Sequence, residues 1–442
     1  MKSTDVLWPR VAVIGSGISG LVAAHGLKDH ARVTLFEAGD YFGGHTHTVD
    51  VMLPGHNGKP MQHGVDTGFL VFNRKTYPGL MALFKSLSVD IAESDMSFSV
   101  QVPHAFGSQA LEWNGADLDS VFAQRSNVLR PKFWRMLGEI LRFNRLATEL
   151  ALTDQDERLM MPVEDFLAHH GFGAVFRDWY LLPMLGCIWS CPTDQMLRFP
   201  VATMVRFCHN HGLIQVNDRP QWLTVRGGAK QYVQKIISGL TDARLRNPVT
   251  LIDRNEDGVW VHTASGGERF DEVVIATHSD QALAMLHGPT DREREVLGAI
   301  RYHPNHAVLH TDPHVMPKRR KAWAAWNYES ALEAGAGQGH VCLHYWLNRL
   351  QPLPFRDPLF VSLNPIRPIR DECVLKEISY SHPVFDLAAI SAQHKLNEIQ
   401  GQNRTWYAGA WLGYGFHEDG LRAGQSVVQS WLARRIPSGV KT

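Results

Sequence analysis

The 442-residue sequence predicts an α/β fold in which a Rossmann-type domain is interleaved with an α+β domain. Three observations carry this. A strand, a glycine turn and a helix follow one another near the N-terminus; strand and helix signals return late in the chain; and the middle stretches lack that rhythm. At roughly 150 residues per unit the length allows two or three domains, and two large ones fit best.

Taken in order, Arg10 to Ile14 is a short apolar run containing two valines and reads as a buried strand. A glycine cluster comes next, then an Ala/Leu-rich stretch to Lys28 that reads as a helix, and Arg32 to Glu37 reads as a second strand. Between Pro131 and Leu150, the residues Leu137, Ile140, Leu141 and Leu150 fall near helical spacing with Arg135, Arg142 and Arg145 interleaved, which predicts one amphipathic helix. RFDEVVIA, Arg269 to Ala276, reads as a buried strand, Gly420 to Leu432 as a closing helix behind a glycine-rich turn, and 434–442 as a frayed tail. The stretches near 76–205 and 290–392 are rich in Trp, His and Pro. The expected division is therefore 1–75, 206–289 and 393–442 for the discontinuous Rossmann-type domain, and 76–205 with 290–392 for the second domain.

Composition narrows the function classes. Hydrophobic residues at 44% and charged residues at 20% give an ordinary globular balance. Lys plus Arg equals Asp plus Glu at 44 each, so no overall positive field exists to gather phosphate backbones, and nucleic acid is not an expected partner. Five cysteines without framework spacing read as reduced thiols, hence a cytoplasmic address. No run of about 18 apolar residues, the minimum for a membrane span, and no signal peptide is read from the sequence.

The stretch VAVIGSGISGLVAAHGL places Gly15, Gly17 and Gly20 as GxGxxG between strand and helix, with Glu37 ending the next strand. Gly15 permits the tight turn, Gly17 lets backbone approach a pyrophosphate, and Gly20 lets helix and strand pack closely, while the helix N-terminus offers amides and a positive dipole end. Glu37 suits a ribose diol, and its charge repels a 2'-phosphate, which argues against NADP. Ser19 and Ala38 belong to the same dinucleotide contact set.

The residues after Glu37 separate FAD from NAD. EAGDYFGGHTHT, with Gly43 and Gly44, resembles the second phosphate-contact motif of the flavin-containing amine oxidases and their desaturase relatives. His45 stands where that family usually carries Arg, and it is taken with Thr46 as part of the contact. VDTGFLVFN resembles the segment beside the flavin ring, Gly68 giving access and Phe69 packing nearby. TVRGGAKQYVQKI carries a family-like pair, Gly227 and Gly228, and RNPVTLI offers Val249 to the adenine. Ala276 and Thr277 match a family Ala-Thr turn. WYAGAWLGYGFHEDGLRAG resembles the C-terminal flavin motif, with Ala410 where relatives carry Asp and with Gly420, Leu421 and Ala423 opening a helix toward the flavin. The resemblance covers nearly the whole chain and implies an amine oxidase-like fold, FAD as cofactor and oxidoreductase activity. More narrowly, GGHTHTVDV, RPQWLTVRGG and GYGFHEDGL are similar to bacterial amine-oxidase-like proteins often encoded beside cyclopropane-fatty-acid-synthase-like genes, which points toward lipid chemistry. With Cys373 the last cysteine, the C-terminal attachment used by some relatives has no counterpart, and non-covalent FAD is expected.

The resemblance places a lysine near the flavin in amine oxidases; YHPNHAVLHTD has Asn305 and His306 at that place, and His306 is read either as a proton relay or as structural. Trp411, Tyr414 and Phe416 are expected at the flavin face, as pocket walls or as simple packing, and His417 is the first candidate for proton handling. Glu418 and Asp419 are explained nearly as well by helix capping. Cys187, Cys191, Cys208, His209 and His211 lack metal-site spacing, so no metal is expected; Trp189 reads as a pocket wall. Lys318 to Lys321 and the arginine-rich helix near Trp134 read as solvated faces, with contact to a membrane surface as the alternative. The leading expectation is an FAD-dependent enzyme taking a hydride from a hydrophobic substrate, a fatty-acyl chain or isoprenoid, to leave a new double bond. The alternatives are an amine oxidase and a flavin-binding partner protein without turnover of its own.

Overall fold

The computed structural model describes residues 8–153, 159–215, 219–330 and 341–435, so most of the tail expected at 434–442 lies outside the described residues. Five parallel strands form the sheet that the N-terminal motif requires, in the order Asp242–Arg244, Arg32–Phe36, Arg10–Ile14, Glu272–Ile275, Thr405–Tyr407. Arg10–Ile14 lies at its centre, with Val11, Ala12 and Val13 fully buried. Such near-continuous apolar runs are what a parallel strand covered on both faces needs. Helix Ile18–Leu27 covers one face and packs against the C-terminal helix His417–Ala433. On the other face the antiparallel ribbon of Leu251–Asn255, Gly258–Thr263 and Gly266–Phe270 contributes Ile252, Val259, Val261 and Phe270 to a second core cluster.

A seven-stranded mixed sheet is drawn from Phe98–Asn114 and Arg301–Val384, with Arg301–His310 and Val374–Val384 as a long antiparallel pair at one edge. Its inner face turns Tyr345, Val361 and Leu363 toward a central cavity. The expected amphipathic helix is Pro131–Ala151, which buries Phe133, Met136 and Phe143 among the helices of 163–210.

Two boundaries differ from expectation. The run 269–276 is two strands, because the Asp271 amide donates to the Arg10 carbonyl (2.8 Å) while its carboxylate accepts from the Arg10 amide (2.8 Å). At that residue the chain steps from the ribbon into the parallel sheet. The closing helix begins at His417 rather than Gly420, because the Asp419 carboxylate accepts from the amides of Phe416 (3.0 Å) and Tyr414 (3.1 Å) and caps a turn earlier.

Candidate active site

A cavity of about 980 Å³ runs from the glycine turn after Arg10–Ile14 to the inner face of the seven-stranded sheet. At one end, Gly15 takes a φ of +96°, and a Cβ there would lie 2.8 Å from the Ala276 carbonyl. A Cβ on Gly20 would lie 1.9 Å from the Gly15 carbonyl, so this glycine is fixed by the contact between helix and turn. A Cβ on Gly17, by contrast, would meet nothing within 4 Å. That open space is where a ligand's phosphates would approach the helix N-terminus.

Ser16 ties the motifs together. The Glu37 carboxylate accepts from the Ser16 amide (3.0 Å), the Ser16 hydroxyl and the Gly39 amide (2.7 Å), and the Ser16 hydroxyl oxygen accepts from the Gly43 amide (3.0 Å). The GxGxxG turn, the acid and the GG pair, all within residues 15–44, therefore form one wall. His45 comes next on that wall, its Nε2 buried without a hydrogen-bond partner. Burial, then the nearby imidazoles of His278 and His47, hold its pKa down to about 4, so a neutral ring faces the cavity.

Toward the middle, Phe69 stacks on His417 with ring centroids 3.6 Å apart. His417 Nε2 lies 2.9 Å from the Thr46 hydroxyl and 3.2 Å from that of Tyr232, and burial pushes its pKa down to about 3. Trp411 Nε1 donates to the Thr277 carbonyl (3.2 Å), and Trp189 Nε1 donates to that of Tyr414 (3.3 Å). Gly15, Gly17, Ser19, Glu37, Ala38, Gly43, Gly44, His45, Gly68, Phe69, Val249, Ala276, Thr277, Ala410, Trp411, Tyr414 and His417 all line the cavity. Thr46, Gly20, Gly420, Leu421 and Ala423 stand behind it. Thr46 is bonded to His417, and a Cβ on Gly420 would meet Ile18 and Ser19, so this glycine sets the approach of the two helices.

His306 is not brought to the cavity: its side chain is half exposed and pairs with Glu377 (3.1 Å). Strand alternation explains this, since the buried neighbour Asn305 takes the other face. Glu418 and Asp419 both serve backbone amides, Glu418 accepting from Gly79 and Leu80 (2.9 Å each) at the start of helix Pro78–Ser86. Among the described residues, the trio with metal-ligand proximity is Glu329, Cys342 and His344, and the scattered cysteines and histidines of 187–211 do not form such a group. Glu329 is already held by Arg367, His344 and Gln101. The cavity also gathers His278, Tyr302, Tyr380 and His382, which sequence reading missed.

The lining fits a dinucleotide: a glycine turn with open space, an acid at the second strand, an orphaned imidazole nitrogen beside the GG pair, and Val249 and Asn247 at the far end. The model of the flavin containing amine oxidoreductase family matches residues 18–439. The chain belongs to that family. It is accordingly an FAD-dependent oxidoreductase. Solved structures share this family fold at low identity. They include the CLA-producing fatty acid isomerase from P. acnes (TM-score 0.68, 16% identity, 96% of this chain and 98% of that one). Cyclohexylamine oxidase from Brevibacterium oxydans IH-35A is another (TM-score 0.67, 16% identity, 96% and 99%). A putative protoporphyrinogen oxidase from Exiguobacterium sp. 255-15 is also similar (TM-score 0.65, 13% identity, 97% and 99%). No curated protein matches the sequence.

Proposed function

We propose that this flavin oxidoreductase takes a hydride from a hydrophobic substrate, a fatty-acyl or isoprenoid chain, and leaves a carbon–carbon double bond. Bound flavin supplies the hydride acceptor. One observation carries the reading: Glu37, at the nucleotide end, is the only charged residue among the described residues that line the cavity. The substrate end is walled by Met96, Phe98, Met184, Trp326, Val361 and Leu363. A cationic amine entering there would lose its hydration without a carboxylate to replace it, whereas an alkyl chain loses nothing. The bond formed also requires a proton to leave the adjacent carbon; five neutral imidazoles line the cavity, and of these His45, His211, His278 and His417 are the candidate bases, His382 being the fifth.

Anaerobic titration decides the point. Bleaching of the flavin bands by fatty acids, acyl esters or isoprenoids, but not by small amines, is the expected result. Bleaching by amines alone, with hydrogen peroxide and aldehyde formed in air, would establish an amine oxidase instead. Acid precipitation should release the colour into solution, since non-covalent FAD is part of this reading.

Delivery from a lipid surface belongs to the same proposal. Leu118, Leu129, Trp134 and Leu141 are exposed, and basic residues lie among them in sequence. The adjacent cluster at 318–321 has internal partners: Arg319 pairs with Glu112, Arg320 lies over Trp323 and Trp346, and Lys321 pairs with Asp119. Sedimentation with anionic vesicles, lost in L129D/W134D, tests this contact. No helix of the described residues is long and apolar enough to cross a membrane; the cytoplasmic address, proposed from five unpaired cysteines, is tested by fractionation.

A further inference from the structure

We propose that His382 is a fixed hydrogen-bond donor of the cavity, locked with its proton on Nε2 by Asn305 and Asn364, and that it serves an acceptor atom of the bound flavin or substrate rather than acting as a base. Only the identity of that acceptor rests on the function proposed above; the position of the proton is a property of the chain.

The lock is a chain of hydrogen bonds whose direction is set by backbone groups. Arg301–His310 and Val374–Val384 pair with His303 opposite His382 and Asn305 opposite Tyr380, so Asn305 and His382 are diagonal neighbours. The His306 amide can only donate, and it donates to Asn364 Oδ1 (2.8 Å). The Asn364 NH2 group is therefore the donor to the Val341 carbonyl (3.2 Å) and to Asn305 Oδ1 (2.7 Å). The Asn305 NH2 group in turn donates to the His303 carbonyl (3.2 Å) and to His382 Nδ1 (2.8 Å). A nitrogen that accepts a hydrogen bond carries no proton, so the neutral ring bears its proton on Nε2. Protonating Nδ1 would set donor against donor.

The surroundings agree. His382 lines the cavity, with the His45 ring at 5.3 Å and the Tyr380 ring at 6.4 Å, while His278 and His303 are the further ionisable groups that act on it. Burial, followed by the imidazoles of His45, His278 and His303, pushes its pKa down to about 3. With Nδ1 engaged, the ring offers the cavity a donor and no lone pair.

The test uses full-length protein labelled with 15N in histidine, its His382 signal assigned by loss in H382Q. Two-bond 1H–15N correlations should show the Nε2–H form from about pH 6 to about pH 8, where an ordinary histidine titrates. Asn305→Asp replaces the donor by an acceptor, and should move the proton to Nδ1 and bring a histidine titration into that range; Asn305→Ala, which only removes the donor, should give a mixture of tautomers. H382F should raise about fivefold, the worth of one neutral hydrogen bond, either the half-saturating substrate concentration in turnover or the FAD dissociation constant, according to which carries the acceptor, and H382Q should recover part of that. An Nδ1–H form in the wild type, or an unchanged spectrum in both Asn305 variants, would overturn the lock. Equal turnover kinetics and equal FAD affinity in H382F and wild type would overturn the donor role. A colourless protein with the Nε2–H signal intact would leave the lock standing and remove the flavin reading alone.

Discussion

Gly17 and Gly20 stand three residues apart in one turn and meet an added methyl group very differently. At Gly20 the methyl carbon would sit inside the Gly15 carbonyl, so Gly20→Ala should prevent stable folding of the turn, seen as loss of soluble protein or of cooperative unfolding. At Gly17 it meets open space and the backbone is extended, so Gly17→Ala should fold with an unchanged apoprotein melting temperature. The cost falls on the ligand instead: about tenfold weaker FAD retention, corresponding to ~1.4 kcal/mol, measured by equilibrium dialysis. The imidazoles carry a second expectation at this scale. His45, His278, His382 and His417 have folded pKa values near 3 to 4, below the unfolded value of 6.5. As pH falls below 6.5 the unfolded chain takes up protons that the folded chain refuses, so stability present above that pH is lost progressively toward pH 4. Asp66 and Asp419, raised to about 7 and about 6, act in the opposite sense as pH rises above 3.8. Two carboxyls against these rings leave a net acid lability, and the apoprotein melting temperature should fall between about pH 6.5 and about pH 5.

Among the elements, the start of helix Pro78–Ser86 is capped from outside by Glu418, whose two oxygens meet two amides. Glu418→Ala should cost about 1–2 kcal/mol by urea unfolding, as loss of a helix cap does, without abolishing turnover. A larger loss is expected at Arg254, which joins the antiparallel ribbon to Glu293 on helix Asp291–Gly298; both partners are almost wholly buried, and Glu293 also accepts from Tyr407 (2.7 Å). Arg254→Met leaves that carboxylate buried without a counter-charge, at a cost of roughly 3–5 kcal/mol by the same measurement. Elements of this kind differ in how plainly the sequence announces them. Arg10–Ile14 and the helix behind it are legible because an apolar run, three spaced glycines and an acid act over a few dozen residues. The break at Asp271 is not legible, since what splits the strand is a pair of bonds to Arg10, far away in the chain. His278 and His382 escape for the same reason: nothing local marks them, and only the meeting of three distant segments puts them beside His45. The Asn305 position is visible as a departure from the family pattern, but its partner across the strand pair is not.

At the scale of the molecule, the parallel sheet takes its strands from near both ends of the chain. Arg10–Ile14 cannot be flanked on both sides until Glu272–Ile275 exists, and the helix that covers Ile18–Leu27 is the last described element. During synthesis Arg10–Ile14 and its glycine turn therefore gain one neighbour early, Arg32–Phe36, but wait for the second flanking strand until Ile275 is made and for the covering helix until His417 and beyond. A sheet closed so late folds slowly and has a long interval in which to aggregate. Chains stalled on the ribosome before Thr405 should capture no FAD, and cofactor capture should begin only once the C-terminal helix is released. For anyone producing this protein, slower translation with abundant flavin and chaperones present at chain release is the regime that its topology favours.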